Sequence, residues 1–525
     1  MTEQTTEEVE QDSAVAGPPG KAETVPPPPQ RGPGGGACPI LGRKTWRESA
    51  KQFNSRVSNT LMHVGGEFLD YSGGAYHSLE DATMRAKARF FLDHSVVCVM
   101  NAETGKFQRY EKFNPERKHV SELVSVLEDL NHVAQESITP SPCWLSNDPN
   151  LPPPRECVSL RNGILHLPTL DLAPPSPQFF TRCALPFDFD PSATCPRWLQ
   201  ALQEWWPNSP DEPHLLQEIF GYLVSGRTDL HKLFAYVGRG RNGKGTIFSV
   251  IAMLLGNDNV VPMTAKSLTA QFGTEALIAK SACVLNEFGF GQKDDRVGIT
   301  NFIKSVVGGD KVDIPRKYRD AWEGHLGVRF NLSCNAIPNF ADDSPAFRDR
   351  LIVLRMGQRF DDADGHKPDR QLSAKLQQEV SGIFNWSLAG LRRLTEQGEF
   401  TMTASTKEER NKFARAASPI RTFVEDTCEV VDDRKEHVDA EVLYQRYVNW
   451  CGRNGSRPAP KTKFIETVEM FDARIKYQRP QAESPGAKRV FVFSGLRLTS
   501  GPGEPQGEAE AEAMAEARRD ELPFG

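Results

Sequence analysis

The stretch 232–246 reads Lys-Leu-Phe-Ala-Tyr-Val-Gly-Arg-Gly-Arg-Asn-Gly-Lys-Gly-Thr, and it carries residue types that phosphate chemistry uses. Residues 233–237 are a short apolar run, a candidate buried strand, and 247–255 are apolar and long enough for a helix. A glycine-rich turn between strand and helix presents backbone N–H groups to phosphate at a helix N-terminus. The candidate nucleotide-binding residues are Gly238, Gly240, Asn242, Gly243, Lys244, Gly245 and Thr246. Lys244 would neutralise the β- and γ-phosphates, and a hydroxyl after it would hold Mg²⁺. The strict spacing G-x-x-x-x-G-K-[ST] fails by one residue, because Gly245 takes the hydroxyl position and Thr246 follows it. The competing reading is a glycine-rich loop crowded with arginines, which would not need the flanking strand and helix.

Further polar residues follow apolar runs downstream. Residues 281–285 read as a second buried strand ending in Asn286-Glu287. A carboxylate at such a strand end, beside a phosphate loop, can polarise water or hold metal-bound water. Residues 297–306 read as a helix, and 311–318 as a strand running into a basic tip with Lys311, Arg316, Lys317 and Arg319. Residues 327–333 return as a strand ending at Cys334-Asn335, where an Asn suits the orientation of water. Arg348 and Arg350 precede one more apolar run, where an arginine could reach a neighbouring subunit's nucleotide. Each of these residues alone also has a bland reading as a strand-end or surface residue.

The elements that must position them are legible in outline. Residues 46–63, 79–93 and 116–136 have helical spacing, 158–167 read as a hairpin on Asn162-Gly163, and 195–226 are helical. Strands then alternate with helices, the pattern of α/β layering. Near the C-terminus, helices are expected at 418–427, 438–454 and 461–470 and strands at 473–478 and 488–494. Lys461, Lys463, Arg474, Lys476, Arg479, Lys488 and Arg489 cluster there and would suit phosphate contacts, or form a solvated basic face. Asp188 and Asp190 form a D-x-D that could be a polymerase metal pair, but Asp190-Pro191 reads better as a turn before a helix.

Charge is unevenly distributed. The net charge of −6 would argue against a nucleic-acid binder, yet residues 1–25 and 501–525 each carry −5, leaving the body at +4. Hydrophobic residues make up 38% of the chain, below the usual ~45–50%, and Pro and Gly are concentrated in an N-terminal arm. No apolar run approaches the ~18–20 residues that cross a bilayer, and the acidic N-terminus has no signal or transit character. Ten scattered cysteines lack zinc-ligand spacing and read as reduced thiols of a cytosolic protein.

These motifs resemble the superfamily 3 helicases, specifically the phage and plasmid primase-helicases related to poxvirus primase-helicase. The 238–246 loop is similar to that family's Walker A, which tolerates Gly before the hydroxyl. Glu287 matches the Walker B glutamate, with Asn286 where other branches carry a second carboxylate. Lys304, Gly308, Gly309 and Lys317 match the B-prime region, Asn335 matches sensor 1, and Arg350 best fits the arginine finger, with Arg348 as competitor. The resemblance implies an α/β fold: an AAA+-like P-loop ATPase core, an α+β N-terminal domain and a C-terminal winged-helix domain. Composition gives a disordered Pro/Gly-rich arm over 1–43, and the resemblance places the N-terminal domain over 44–225 and the ATPase over 226–362. A helical connection would span 363–415, the winged helix 416–500 and an acidic tail 501–525.

The implied function is an ATP-dependent DNA helicase of a phage, prophage or plasmid in the bacterial cytoplasm. It would form a homo-hexamer that takes ATP and Mg²⁺ and engages single-stranded and forked DNA, alongside a separate primase or replication proteins. Lys244, Glu287, Asn335 and Arg350 would be catalytic, Thr246 and Glu287 would hold the metal, and Lys311, Arg316, Lys317 and Arg319 would contact DNA. Primase synthesis by this chain itself is not expected. Two rivals stay open: an initiator that uses ATP as an assembly switch, and a P-loop phosphoryl transferase.

Overall fold

The computed structural model describes residues 37–41, 46–139, 141–291, 294–338, 340–342, 344–360, 369–417, 419–433, 436–454, 457–480 and 490–499. The rest of the arm expected over 1–43, the tail at 501–525, and Lys488 and Arg489 lie outside the described residues. The chain divides into two units, one of residues 1–72 with 76–140 and one of residues 73–75 with 141–525.

In the first unit, helices Trp46–Arg56, Asp81–Asp93 and Arg117–Leu130 share a core of Phe53, Phe91, Leu92, Leu123 and Leu127. Their apolar positions recur at helical spacing, so each helix buries one face. Ile40–Leu41, placed within the arm on composition, instead forms a strand parallel to Val96–Met100. Leu41 is 4% exposed, and its burial helps offset the cost of ordering the segment.

The second unit is built around a five-stranded sheet. Its labelled strands are β1 (Leu233–Val237), β2 (Val260–Met263), β3 (Ala282–Leu285), β6 (Arg329–Cys334) and β7 (Leu351–Arg355). Strands β4 (Lys311–Arg316) and β5 (Arg319–His325) form a separate hairpin. The sheet order is β2-β3-β6-β1-β7, and every neighbouring pair is parallel. Every residue of β1, β3 and β6 is buried, as expected of parallel strands covered on both faces.

Among the helices that accompany these strands are α1 (Pro196–Trp205), α2 (Asp211–Val224), α3 (Lys244–Leu255), α4 (Arg296–Gly308), α5 (Pro345–Arg350) and α6 (Val380–Gln397). One core joins Leu165, Trp198, Phe220, Phe234, Ile247 and Leu388. Residues 158–224 thus contribute to the same core as the sheet, within the unit that holds 141–525. Helix α6, expected to be part of a connection, is likewise core. A Cβ on Gly221 of α2 would lie 2.6 Å from the Leu391 backbone N, so the two helices can approach this closely only at glycine. Glu218 of α2 is fully buried, accepts from Arg393 at 2.7 Å and also accepts from the Thr401 N–H and hydroxyl.

The hairpin expected on Asn162-Gly163 forms with a different turn. Leu160 pairs with Gly163, so Arg161 and Asn162 make the two-residue loop. The Asn162 amide is bound to the Phe189 backbone, donating at 3.0 Å and accepting at 2.9 Å. Gly163 is needed for space: a Cβ there would meet Leu172 Cδ1 at 2.8 Å.

Near the C-terminus, α7 (Pro419–Thr427), α8 (Ala440–Arg453) and α9 (Lys461–Glu469) pack with β8 (Lys476–Gln478), β9 (Val492–Ser494) and β10 (Leu496–Leu498). Their core holds Phe423, Leu443, Tyr447, Phe464 and Phe493. All ten cysteines are free thiols.

Candidate functional site

Strand β6 lies between β1 and β3, although β3 precedes it in the chain. This crossover makes the carboxyl ends of three strands neighbours, the place where open α/β sheets bind ligands. Val237 pairs with Cys334, and Leu285 pairs with Leu332, so the three ends lie nearly level. At ~4.8 Å per strand, the segments after β1 and β3 emerge about 10 Å apart, with Asn335 leaving the strand between them.

The loop after β1 turns sharply into α3. Gly243 caps the helix at φ +92°, and a Cβ there would sit 2.7 Å from Trp205 Cε2, so both conformation and space require glycine. The first-turn amides of α3 have no intrahelical acceptors, which leaves them to face the loop's mouth. A Cβ placed on Gly240 or Gly245 would meet nothing within 4 Å, so the backbone there is open to approach. Lys244 Nζ donates to the Gly238 carbonyl and, at 3.1 Å, to Asn242 Oδ1. Burial pulls the Lys244 ammonium below its usual pKa. Asn242 is 4% exposed and its Nδ2 is buried without a partner. The Thr246 hydroxyl, one residue beyond the strict position, has no partner among the described residues.

Beyond β3, Asn286 and Glu287 are exposed. Glu287 has φ +46°, and the Phe288 N–H returns to the Ser333 carbonyl at 2.7 Å. The chain thus kinks at Glu287 and holds its carboxylate outside the ladder. A non-glycine residue at positive φ is strained, and such strain gathers at functional sites. Nothing in the residue types signalled this kink. Asn335 is exposed one residue beyond β6. Lys244, Thr246, Glu287 and Asn335 are therefore gathered at one edge of the sheet.

Arg350 stands elsewhere. It immediately precedes β7, whose first residue Leu351 pairs with Leu233, the first residue of β1. It lies at the amino edge of the sheet, roughly 15 Å of strand away from the phosphate-type loop. Its guanidinium donates to the Lys304 carbonyl at 2.9 Å. The Arg348 side chain has no hydrogen-bond or ion-pair partner among the described residues, while Asp349 pairs with Arg410. Lys304, grouped with the hairpin by resemblance, is ion-paired to Asp342, so its side chain braces α4 against the segment before α5.

The β4–β5 hairpin is rooted by buried Val312 and Ile314. Lys311 is paired with Glu323 across its base at 2.7 Å. Arg316 pairs in register with Arg319, which leaves Lys317 and Tyr318 as the turn. Sequence reasoning named the cations there and passed over Tyr318.

Residues 107–207 match the family described as D5 N terminal like, and residues 236–350 match a family of unknown function, DUF5906. The apo structure of the NrS-1 C terminal region is similar over 86% of this chain and 100% of that chain, with a TM-score of 0.51 at 10% identity. An A-form apo structure of that region aligns over 84% and 98% at 10% identity with a TM-score of 0.47. The D5 N-terminal-like match supports the resemblance read from the sequence over residues 107–207, and the likeness to the NrS-1 region is one of fold.

Among the C-terminal cations the structure separates two groups. Lys461 is ion-paired to Glu441, and Arg474 is paired to Asp472 at 2.7 Å and to Asp432 at 3.2 Å. Arg479 lies over the Phe491 ring, whereas Lys463 and Lys476 have no side-chain partner among the described residues. The D-x-D carboxylates are committed as well: Asp188 takes a two-pronged bond from Arg161 at 2.8 Å, and Asp190 accepts from the Ser192 hydroxyl at 2.7 Å. Among the described residues, no helix is long and apolar enough to cross a membrane.

Proposed function

We propose that this chain hydrolyses ATP as one subunit of a homo-hexameric ring and uses the energy to move along single-stranded DNA. It would act as the helicase of a phage, prophage or plasmid replication system in the bacterial cytoplasm. The observation that carries this reading is the convergence of Lys244, Thr246, Glu287 and Asn335 on the carboxyl edge of the sheet. The loop suits a nucleotide: Gly240 and Gly245 leave open backbone, Asn242 Nδ2 is buried and unpartnered, and Lys244 is a partly desolvated cation.

In this P-loop reading Lys244 binds the β- and γ-phosphates, with the first-turn amides of α3 beside it. Thr246 and Glu287 would hold Mg²⁺, which is bound through few protein oxygens together with substrate phosphates. The ion supplies charge neutralisation at the transferring phosphoryl group. Glu287 polarises the attacking water and Asn335 orients it. Arg350 serves the site of the adjacent subunit, since its own site lies at the opposite edge of the sheet. Lys311, Arg316, Lys317 and Arg319 grip DNA phosphates, with Lys317 coupling hydrolysis to movement. Helices α7 to α9 with β8 to β10 form a winged-helix domain in which Lys463, Lys476 and Arg479 remain candidates for phosphate contact.

One observation favours a second reading. Asn286, not a second carboxylate, precedes Glu287 at the site, which suits slow turnover and an initiator that uses ATP as an assembly switch. The ATPase rate measured with and without single-stranded DNA, together with particle mass, separates the two. A DNA-stimulated hexamer supports the motor, an assembly with DNA-independent slow turnover supports the switch, and a DNA-indifferent monomer overturns both.

A further inference from the structure

Tyr318, at the hairpin turn, is 93% exposed, more than any other large hydrophobic side chain among the described residues. Its φ is +59°, a conformation that bulky residues rarely adopt and that glycine or asparagine would take more easily. The Lys317 ammonium lies 5.1 Å from its ring centroid, within reach of a cation–π contact. Arg316 and Arg319 flank the turn, and the Lys317 N–H is tied to Glu275 Oε2 at 3.4 Å. Below the turn, Ile314 is fully buried and Trp322 packs against the same core. A rooted hairpin therefore projects an aromatic ring that buries almost nothing, at a position where the ring is costly to keep. Folding gives no reason for it.

We propose that Tyr318 stacks on an unpaired base of single-stranded DNA, while the flanking cations contact its phosphates. The inference rests on the DNA-motor reading and adds to it that the grip depends on bases as well as on backbone charge. Every base offers a face to stack on, so such a contact tolerates any sequence. In duplex DNA the base faces are already stacked, so the ring would favour the single strand.

Anisotropy titrations of the full chain with a thymidine oligonucleotide and with an abasic oligonucleotide of equal length test this. The proteins are the wild type, Tyr318→Phe and Tyr318→Asn, the last chosen because asparagine tolerates the left-handed turn. Tyr318→Asn is expected to weaken thymidine binding by about 5- to 150-fold, the ~1–3 kcal/mol of one stacked base. It should leave abasic binding unchanged, and Tyr318→Phe should bind like the wild type. Equal thymidine affinity in Tyr318→Asn and wild type, or equal losses on both oligonucleotides, overturns the stacking role while the motor reading stands. A wild-type protein that binds neither oligonucleotide overturns the motor reading and the stacking role with it.

Discussion

Glu287 is the residue where local structure says most about chemistry. The strand it follows was readable from four apolar residues, and its position after the phosphate-type loop suggested a role. Its positive φ was not readable, because that depends on the Phe288 N–H returning to Ser333, a partner set by sheet order. If the carboxylate activates water, Glu287→Gln should lower kcat by roughly 100- to 10,000-fold. Nucleotide affinity, read by equilibrium binding, should stay close to wild type. Weakened binding with unchanged kcat would make Glu287 a binding residue only. Lys244→Ala should reduce hydrolysis by at least ~100-fold at an unchanged melting temperature, measured on the same preparations.

At the scale of elements, the sequence and the structure agree where burial is local and part where partners are distant. Residues 233–237 were read as a strand and form one with those limits, since a continuous apolar run bounded by glycine suits a strand buried on both faces. The Asn162-Gly163 turn shifted by one residue because Asn162 binds Phe189, a contact distant in sequence, and Gly163 is crowded by Leu172 of the neighbouring strand. The seat of Gly243 on Trp205 was equally hidden, since α1 and the loop are far apart in sequence. Trp205 is 3% exposed, so Trp205→Ala should cost ~3–5 kcal/mol of stability in urea unfolding. The milder Trp205→Phe should raise the KM for ATP more than it lowers kcat, because the indole positions the loop rather than touching the reacting atoms.

The Lys304–Asp342 brace belongs to this scale too. Burial pushes the Asp342 carboxyl up, but hydrogen bonds from Lys304 and Ser344 outweigh it and hold the group below the ordinary carboxylate value of 3.8. A carboxyl depressed on folding contributes stability above its unfolded pKa and loses that contribution as pH falls through the folded one. Asp342→Asn should therefore be less stable than wild type at pH 7, by about 1–2 kcal/mol, with the gap closing below about pH 4. A gap independent of pH would assign the loss to packing instead.

For the molecule as a whole, the acidity of the sequence belongs to its two ends, and the +4 body holds the candidate DNA contacts. Lys244 and Glu287 lie at one edge of the sheet and Arg350 at the other, so the proposed catalytic set is divided between opposite edges. One subunit cannot unite them across roughly 15 Å of strand. A head-to-tail contact that closes into a ring can. The motifs name these residues as candidates, but only the strand order shows that they lie at opposite edges. The most direct measurement mixes Arg350→Ala subunits with Glu287→Ala subunits, each inactive alone, and follows ATP hydrolysis against the mixing ratio. At equal amounts, independent interfaces predict recovery of roughly a quarter of the wild-type rate, because one interface in four pairs an intact Glu287 site with an intact Arg350. No recovery at any ratio would contradict the arrangement.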